Sequence, residues 1–179
     1  MSVIAYKIEK NRIRVACDGR VISGDEIVTE DKVKIMEVPK KKIICGGTGL
    51  NDSIDVWKGF VARNADRILE LKDTESVLAL AVDFKNTLLD EYHYSDEMFA
   101  EMGGFFFITP TYHCIIYYDE GRGPYLAQNE DEKYGCFGSP RVYTKALLDT
   151  GIDIVDAIKM SAKKFTTIND HVFELSFKK

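Results

Sequence analysis

The order in which two hydrophobic periods succeed one another is the strongest constraint in this chain. From residue 2 to about 47, short apolar runs are separated by turn signals. The runs are VIAYKI, RIRVACD, RVIS, KVKIMEV and KKIICGG, and the breaks include Lys10-Asn11, Ser23-Gly24-Asp25 and Val38-Pro39. They read as a meander of short antiparallel strands. Ile54, Trp57, Phe60, Val61, Ala65, Ile68 and Leu69 then follow a 3.6-residue period, which predicts a first helix with Asn51 or Asp52 as its cap. Thr74 to about Tyr92 repeats the pattern through Val77, Leu78, Ala81, Phe84, Leu88 and Leu89, giving a second helix. HYSDEMFAEMGG is polar and poorly periodic, and reads as a loop or a single helical turn.

Strands return as GFFFITP, YHCIIYY, PYLAQ and KYGCFG, with DEGRG as a hairpin turn. Ser139-Pro140 is expected to open a third helix, Ser as cap and Pro at the first helical position, and Gly151 to end it. Asp153, with Asp156 three residues on, caps a fourth helix, and HVFELSF closes the chain as a strand. Strands grouped in hairpins and helices in consecutive pairs imply an antiparallel α+β architecture rather than a parallel βαβ sheet. Two packed sheets between two helix layers is one arrangement that accommodates them. With no composition break, repeat or linker, residues 1–179 read as a single domain, long enough to bury roughly 70% of its unfolded surface without staples.

Charge and cysteine usage exclude several function classes. Lys and Arg number 24 against 29 Asp and Glu, a net charge of 24 − 29 = −5 with the basic residues dispersed, which argues against nucleic acid as a partner. Cys17, Cys45, Cys114 and Cys136 form no CxxC pair and sit in or beside apolar runs. They read as buried thiols of a reducing compartment, the cytoplasm, and not as metal ligands or disulfides. No targeting segment opens the chain, and no window approaches the ~18 apolar residues of a membrane span. His93, His113 and His171 stand in no catalytic or metal-binding spacing, and His113 and Cys114 point to opposite faces of a strand. The run Gly46-Gly47-Thr48-Gly49 follows a strand and precedes a helix but lacks the Lys-Ser/Thr of a phosphate loop. By itself it is a sharp turn, and Lys40-Lys41-Lys42 is a solvated one.

Ser2 is small enough that removal of Met1 is expected, leaving a residue that carries both a hydroxyl nucleophile and its own base. A free α-amine has a pKa of about 7.7–8 and is partly neutral at working pH. Taken singly, Asp18 before Gly19 is a turn former, Lys34 between Val33 and Ile35 a solvent-facing strand residue, and Ser139 a helix cap. Their joint spacing says more: the step from Ser2 to Asp18 is repeated from Asp18 to Lys34.

The segment S2-V-I-A … V15-A-C-D18-G19 … K32-V-K34 resembles the opening of the proteasome β and HslV-type peptidases, which are N-terminal nucleophile (Ntn) hydrolases. Those have a nucleophile followed by an Asp and then a Lys at the same two intervals. The turn in KKIICGGTG falls where that family has a Gly-rich turn, with one residue inserted before it. YGCFGSPRVYTKALLDTG resembles the family's strand-Gly-Ser-helix segment. The likeness covers residues 2–49 well and 133–176 moderately, and reaches the middle only in element order.

The resemblance implies a four-layer αββα sandwich of two antiparallel sheets between helix pairs. It implies Ser2, Asp18, Lys34 and Ser139 as catalytic residues, backbone amides of Gly46, Gly47, Thr48 and Gly49 as an oxyanion hole, and Val21 beside the specificity pocket. It implies polypeptide substrates, hexameric or heptameric rings and an HslU-type ATPase partner, with no cofactor. Two features depart from the family pattern. Ser2 stands where Thr is usual, and Ser161 to Asn169 contains no acid where HslV-type enzymes carry an Asp, leaving Thr166, Thr167 or Asn169 in that region. The same residues also accommodate a non-catalytic ring subunit that keeps Met1, or an Ntn amidohydrolase acting on a small amide.

Overall fold

β1 (Val3–Ile8) is apolar at successive positions, and the reason is burial on both faces: Val3, Ile4 and Ala5 are fully buried and Tyr6 nearly so. The structure, a computed structural model, describes residues 2–119, 123–127 and 133–179. The further strands are β2 (Arg12–Asp18), β3 (Val21–Ser23), β4 (Glu26–Thr29), β5 (Ile35–Glu37), β6 (Ile44–Gly47), β7 (Gly104–Ile108), β8 (His113–Asp119), β9 (Gly123–Ala127), β10 (Tyr134–Gly138) and β11 (Val172–Lys178). The helices are α1 (Asn51–Arg63), α2 (Ala65–Glu70), α3 (Thr74–Tyr92), α4 (Asp96–Glu101), α5 (Arg141–Asp149) and α6 (Ile154–Ala162). The chain divides into two compact units, Met1–Glu37 with Asp131–Lys179, and Val38–Glu130.

In the first unit β10, β1, β2 and β11 form an antiparallel sheet in that order. One face receives α5 and α6: Val3, Ala5 and Ala16 meet Leu148, Ile154, Ala157 and Ile158 in one core. Alanine at positions 5 and 16 lets the helices approach the sheet closely. A buried Thr144–Ser161 hydroxyl contact of 2.8 Å ties α5 to α6. The N-terminal strands are not one meander. β3 and β4 form a separate hairpin, and the outer neighbours of β1 and β2 come from the far end of the chain. β4 is absent from the sequence reading because EIVT is too short to show a period.

The second unit has β6, β7, β8 and β9 in antiparallel order. Its core is aromatic, with Trp57 of α1, Phe84 of α3 and Phe105 of β7 in mutual ring contact and Tyr118 of β8 against Phe84 and Phe105. The Trp57 indole donates to the Phe106 carbonyl and the Tyr118 hydroxyl to the Ala81 carbonyl, so both polar tips are satisfied in the core.

Three sequence readings are corrected, and for HYSDEMFAEMGG the helical alternative is the one found, at residues 96–101, the six-residue α4. The first helix breaks at Asn64, where both the backbone and the side-chain amide donate to the Phe60 carbonyl, so α1 ends and α2 begins. Leu50 holds the cap position of α1 without a side-chain bond, in place of Asn51 or Asp52. Pro140, not Ser139, precedes α5. Asp153 caps α6 as expected, accepting from the Val155 amide. The proposed DEGRG turn lies largely outside the described residues, as does the last residue of PYLAQ.

Candidate active site

β1 is hydrogen-bonded on both sides, with Ile4 opposite Cys17 of β2 and Val3 opposite Gly138 of β10. Ser2 precedes β1 directly and therefore lies between the end of β2 and the end of β10. The peptide group joining Ser2 to Val3 is held at both its atoms. The Val3 amide donates to Asp18 Oδ1 at 2.8 Å, and the Ser2 carbonyl accepts from the Ser139 amide at 3.0 Å. Ser2 itself is buried. Gly138 has to be glycine here: its φ is +105°, and a Cβ would lie 2.0 Å from the Ser2 carbonyl oxygen. The Gly138-Ser139 motif thus acts at Ser2 through its backbone, while the Ser139 residue is exposed.

Asp18 terminates β2 and is fully buried. Its other oxygen, Oδ2, accepts from Lys34 Nζ at 2.8 Å and from the Arg20 amide at 3.0 Å. Lys34 Nζ also donates to the Arg20 carbonyl at 2.7 Å. The alternation of Val33, Lys34 and Ile35 suggests an outward lysine, but residues 31–34 are not strand. Lys34 is 1% exposed and Val33 40% exposed. Burial pushes the Lys34 ammonium below its ordinary pKa, and Asp18 opposes that shift. Buried charge survives because the cation has a carboxylate and a carbonyl in direct contact.

A second layer surrounds this pair. The Arg20 guanidinium forks onto the Glu30 carboxylate at 2.8 and 3.0 Å and also donates to the Thr166 carbonyl. Arg20 holds the Glu30 carboxyl below the usual carboxylate range. Asn169 Oδ1 accepts from the Gly19 amide at 2.9 Å, and its Nδ2 donates to the Glu30 carbonyl at 2.8 Å and to the Glu30 carboxylate. A Cβ on Gly19 would lie 2.2 Å from the Glu30 carbonyl oxygen, so the two backbones touch. Sequence reasoning missed Arg20 and Glu30. Their opposite charges flank a predicted turn, which was the available signal. Of the three residues considered for the acid-free region, Asn169 and Thr166 meet this layer.

The Gly46–Gly49 turn belongs to the second unit. The Thr48 amide donates to the Gly104 carbonyl at 2.8 Å, and Thr48 Oγ1 accepts from the Gly104 amide at 3.1 Å. Both polar groups of Thr48 named here are thus engaged with Gly104 inside this unit. Antiparallel ladders alternate, so the Gly46–Phe106 pair is hydrogen-bonded and the Gly47 amide points to the side of β6 away from β7. Val21 is half-buried at the start of β3. Among the described residues no cluster of His, Cys, Asp and Glu could hold a metal ion, and no helix is long and apolar enough to cross a membrane.

No family model matches the chain, and no curated protein matches it in sequence. Solved structures do match. Eukaryotic HslV from Trypanosoma brucei superposes with a TM-score of 0.74 at 12% identity, covering 99% of both chains. The fold is that of HslV. It is the α+β Ntn hydrolase fold of antiparallel sheets and helix pairs. Thiobacillus denitrificans BPH in complex with epoxomicin has the same fold, with a TM-score of 0.70, 14% identity and 98% of both chains covered. A second structure of that protein gives 0.69 at 14% identity, covering 98% of this chain and 97% of the other. The HslV fold thus embraces the whole length of this chain, including the middle, where motifs are lacking.

Proposed function

We propose that this chain is a peptidase subunit in which Ser2, freed of Met1, is the nucleophile. One observation carries the reading: a single buried carboxylate, Asp18, accepts from both the amide that follows Ser2 and the Lys34 ammonium. The cation and the residue bearing the nucleophile are thereby tied to one rigid group.

In this reading Ser2 Oγ attacks a peptide carbonyl carbon, and the Ser2 α-amine, directly or through a water, takes the hydroxyl proton. The Lys34 cation disfavours protonation of the neighbouring amine and hydroxyl, so more of each is reactive near neutral pH. The carbonyl oxygen becomes an oxyanion, for which the family resemblance implies backbone amide donors, each contact typically worth about 3 kcal/mol in the transition state. Collapse breaks the C–N bond as the amine returns its proton to the leaving nitrogen, leaving an ester on Ser2. Water, deprotonated by the same amine, then cleaves the ester and restores the serine. Ser139 supports Ser2, Val21 borders the specificity pocket, and the chain's own groups suffice for every step.

The family resemblance extends the proposal to polypeptide substrates, a hexameric or heptameric ring that encloses the sites, and an HslU-type ATPase that feeds it, in the cytoplasm. Hydrolysis of fluorogenic peptides by the purified chain tests the reading. Ser2→Ala should lower turnover at least about a thousandfold, and light scattering should report a ring-sized particle. Turnover retained in Ser2→Ala, or its absence from assembled wild-type protein, counts against it.

A further inference from the structure

Both acceptors of Lys34 Nζ belong to the short turn of Asp18, Gly19 and Arg20, the first through a carboxylate and the last through a carbonyl. The middle amide of that turn, on Gly19, is taken by Asn169 Oδ1, from a segment near the other end of the chain. Asn169 Nδ2 reaches across to Glu30 at both carbonyl and carboxylate, and Glu30 in turn forks onto Arg20. Asn169 is 7% exposed, and both ends of its amide are engaged. The turn is thus fixed at its centre by Asn169 and at its exit by the Arg20–Glu30 fork that Asn169 also braces.

We infer that Asn169 is a positioning residue that holds the Asp18–Arg20 turn so that the Lys34 ammonium stays on the carboxylate that also binds the Ser2–Val3 peptide amide. It serves, without a carboxylate, the stretch where an acid is expected. The inference rests on the peptidase reading for its catalytic consequence, but its geometric content does not. Asn supplies what an acid would lack here, because one end accepts from Gly19 while the other donates to Glu30. A carboxylate at 169 would face the Glu30 carboxylate. The charged and titratable groups acting on Lys34 are Asp18, Cys17 and Glu30, so a shift of the turn changes the field around the cation.

The test compares wild-type protein with Asn169→Ala in two readouts: the crystal structure at residues 18–20 and 34, and the pH profile of epoxomicin adduct formation at Ser2 by intact mass. In the variant, Lys34 is expected to lose at least one of its two acceptors. The adduct rate at neutral pH should fall about a hundredfold. The midpoint of the profile should move to higher pH, because a displaced cation no longer disfavours protonation of the Ser2 amine. Lys34 still on both Asp18 and Arg20 overturns the inference, and so does an unchanged rate and midpoint in protein that forms the adduct. If wild-type protein forms no adduct, the peptidase reading falls, and the crystal structure alone decides the positioning claim. If Asn169→Ala does not fold, Glu30→Gln, which keeps the shape but removes the charge opposite Arg20, is measured in its place. The same displacement and alkaline shift are expected, and wild-type geometry or rate overturns the claim.

Discussion

Lys34 donates to the Asp18 carboxylate at 2.8 Å with neither side chain more than 1% exposed. A pair this dry exists only while both members are present, because either charge left alone in the interior meets the full desolvation penalty. Asp18→Asn and Lys34→Met should each destabilise the protein by about 3 kcal/mol or more. The double variant should cost less than the two singles together, by roughly 2 kcal/mol. Urea denaturation of the four proteins measures the coupling, and strict additivity would show that the contact carries no pairwise energy.

The depressed Lys34 pKa sets a pH dependence of definite sign. Between its folded value and the ordinary lysine value of 10.5, the unfolded chain binds a proton at this site that the folded chain does not. Stability should therefore rise with pH through that window, and the penalty should be fully present below it. The contribution is isolated by subtracting the profile of Lys34→Met from that of wild type. A difference that is flat or falls with pH would contradict the assignment.

Gly138 and Gly24 make a matched pair. Both have positive φ, but a Cβ at Gly24 meets nothing within 4 Å, whereas at Gly138 it meets the Ser2 carbonyl at 2.0 Å. Gly24→Ala should cost about 1 kcal/mol of backbone strain alone. Gly138→Ala should cost more in thermal denaturation and should also displace Ser2, abolishing its labelling by epoxomicin. Equal costs with labelling intact would mean that Ser2 is not held as described.

The thiols should differ in reactivity. Burial pushes Cys45 up to about 12 and raises Cys114 as well, so neither is thiolate at mildly alkaline pH. Cys17 is buried too, whereas Cys136 is half-buried. Brief alkylation of native protein by iodoacetamide should place the first label on Cys136 by peptide mass mapping. A first label on Cys45 would show that its strand opens in solution.

The two intervals from Ser2 were readable in the sequence because Asp18 and Lys34 follow it closely in the chain, at equal steps of spacing. The antiparallel α+β class was equally readable from the order of periods. Burial of Lys34 was not, since alternation with Val33 and Ile35 assumes a strand that the folded chain does not form there. Nor was the link from Asn169 to Gly19, which forms only when β11 pairs with β2 and carries the end of the chain to the start. The break between α1 and α2 depends on one asparagine amide competing for the Phe60 carbonyl, which hydrophobic periodicity does not register.

Intact-mass analysis of the natively expressed protein, before and after epoxomicin, tests the central claim most directly, because an epoxyketone needs the hydroxyl and the free α-amine of one residue. The account predicts loss of Met1 and one adduct per chain, absent from Ser2→Ala. Retained Met1 and no adduct in ring-assembled protein would contradict it, and would leave this fold as a non-catalytic subunit.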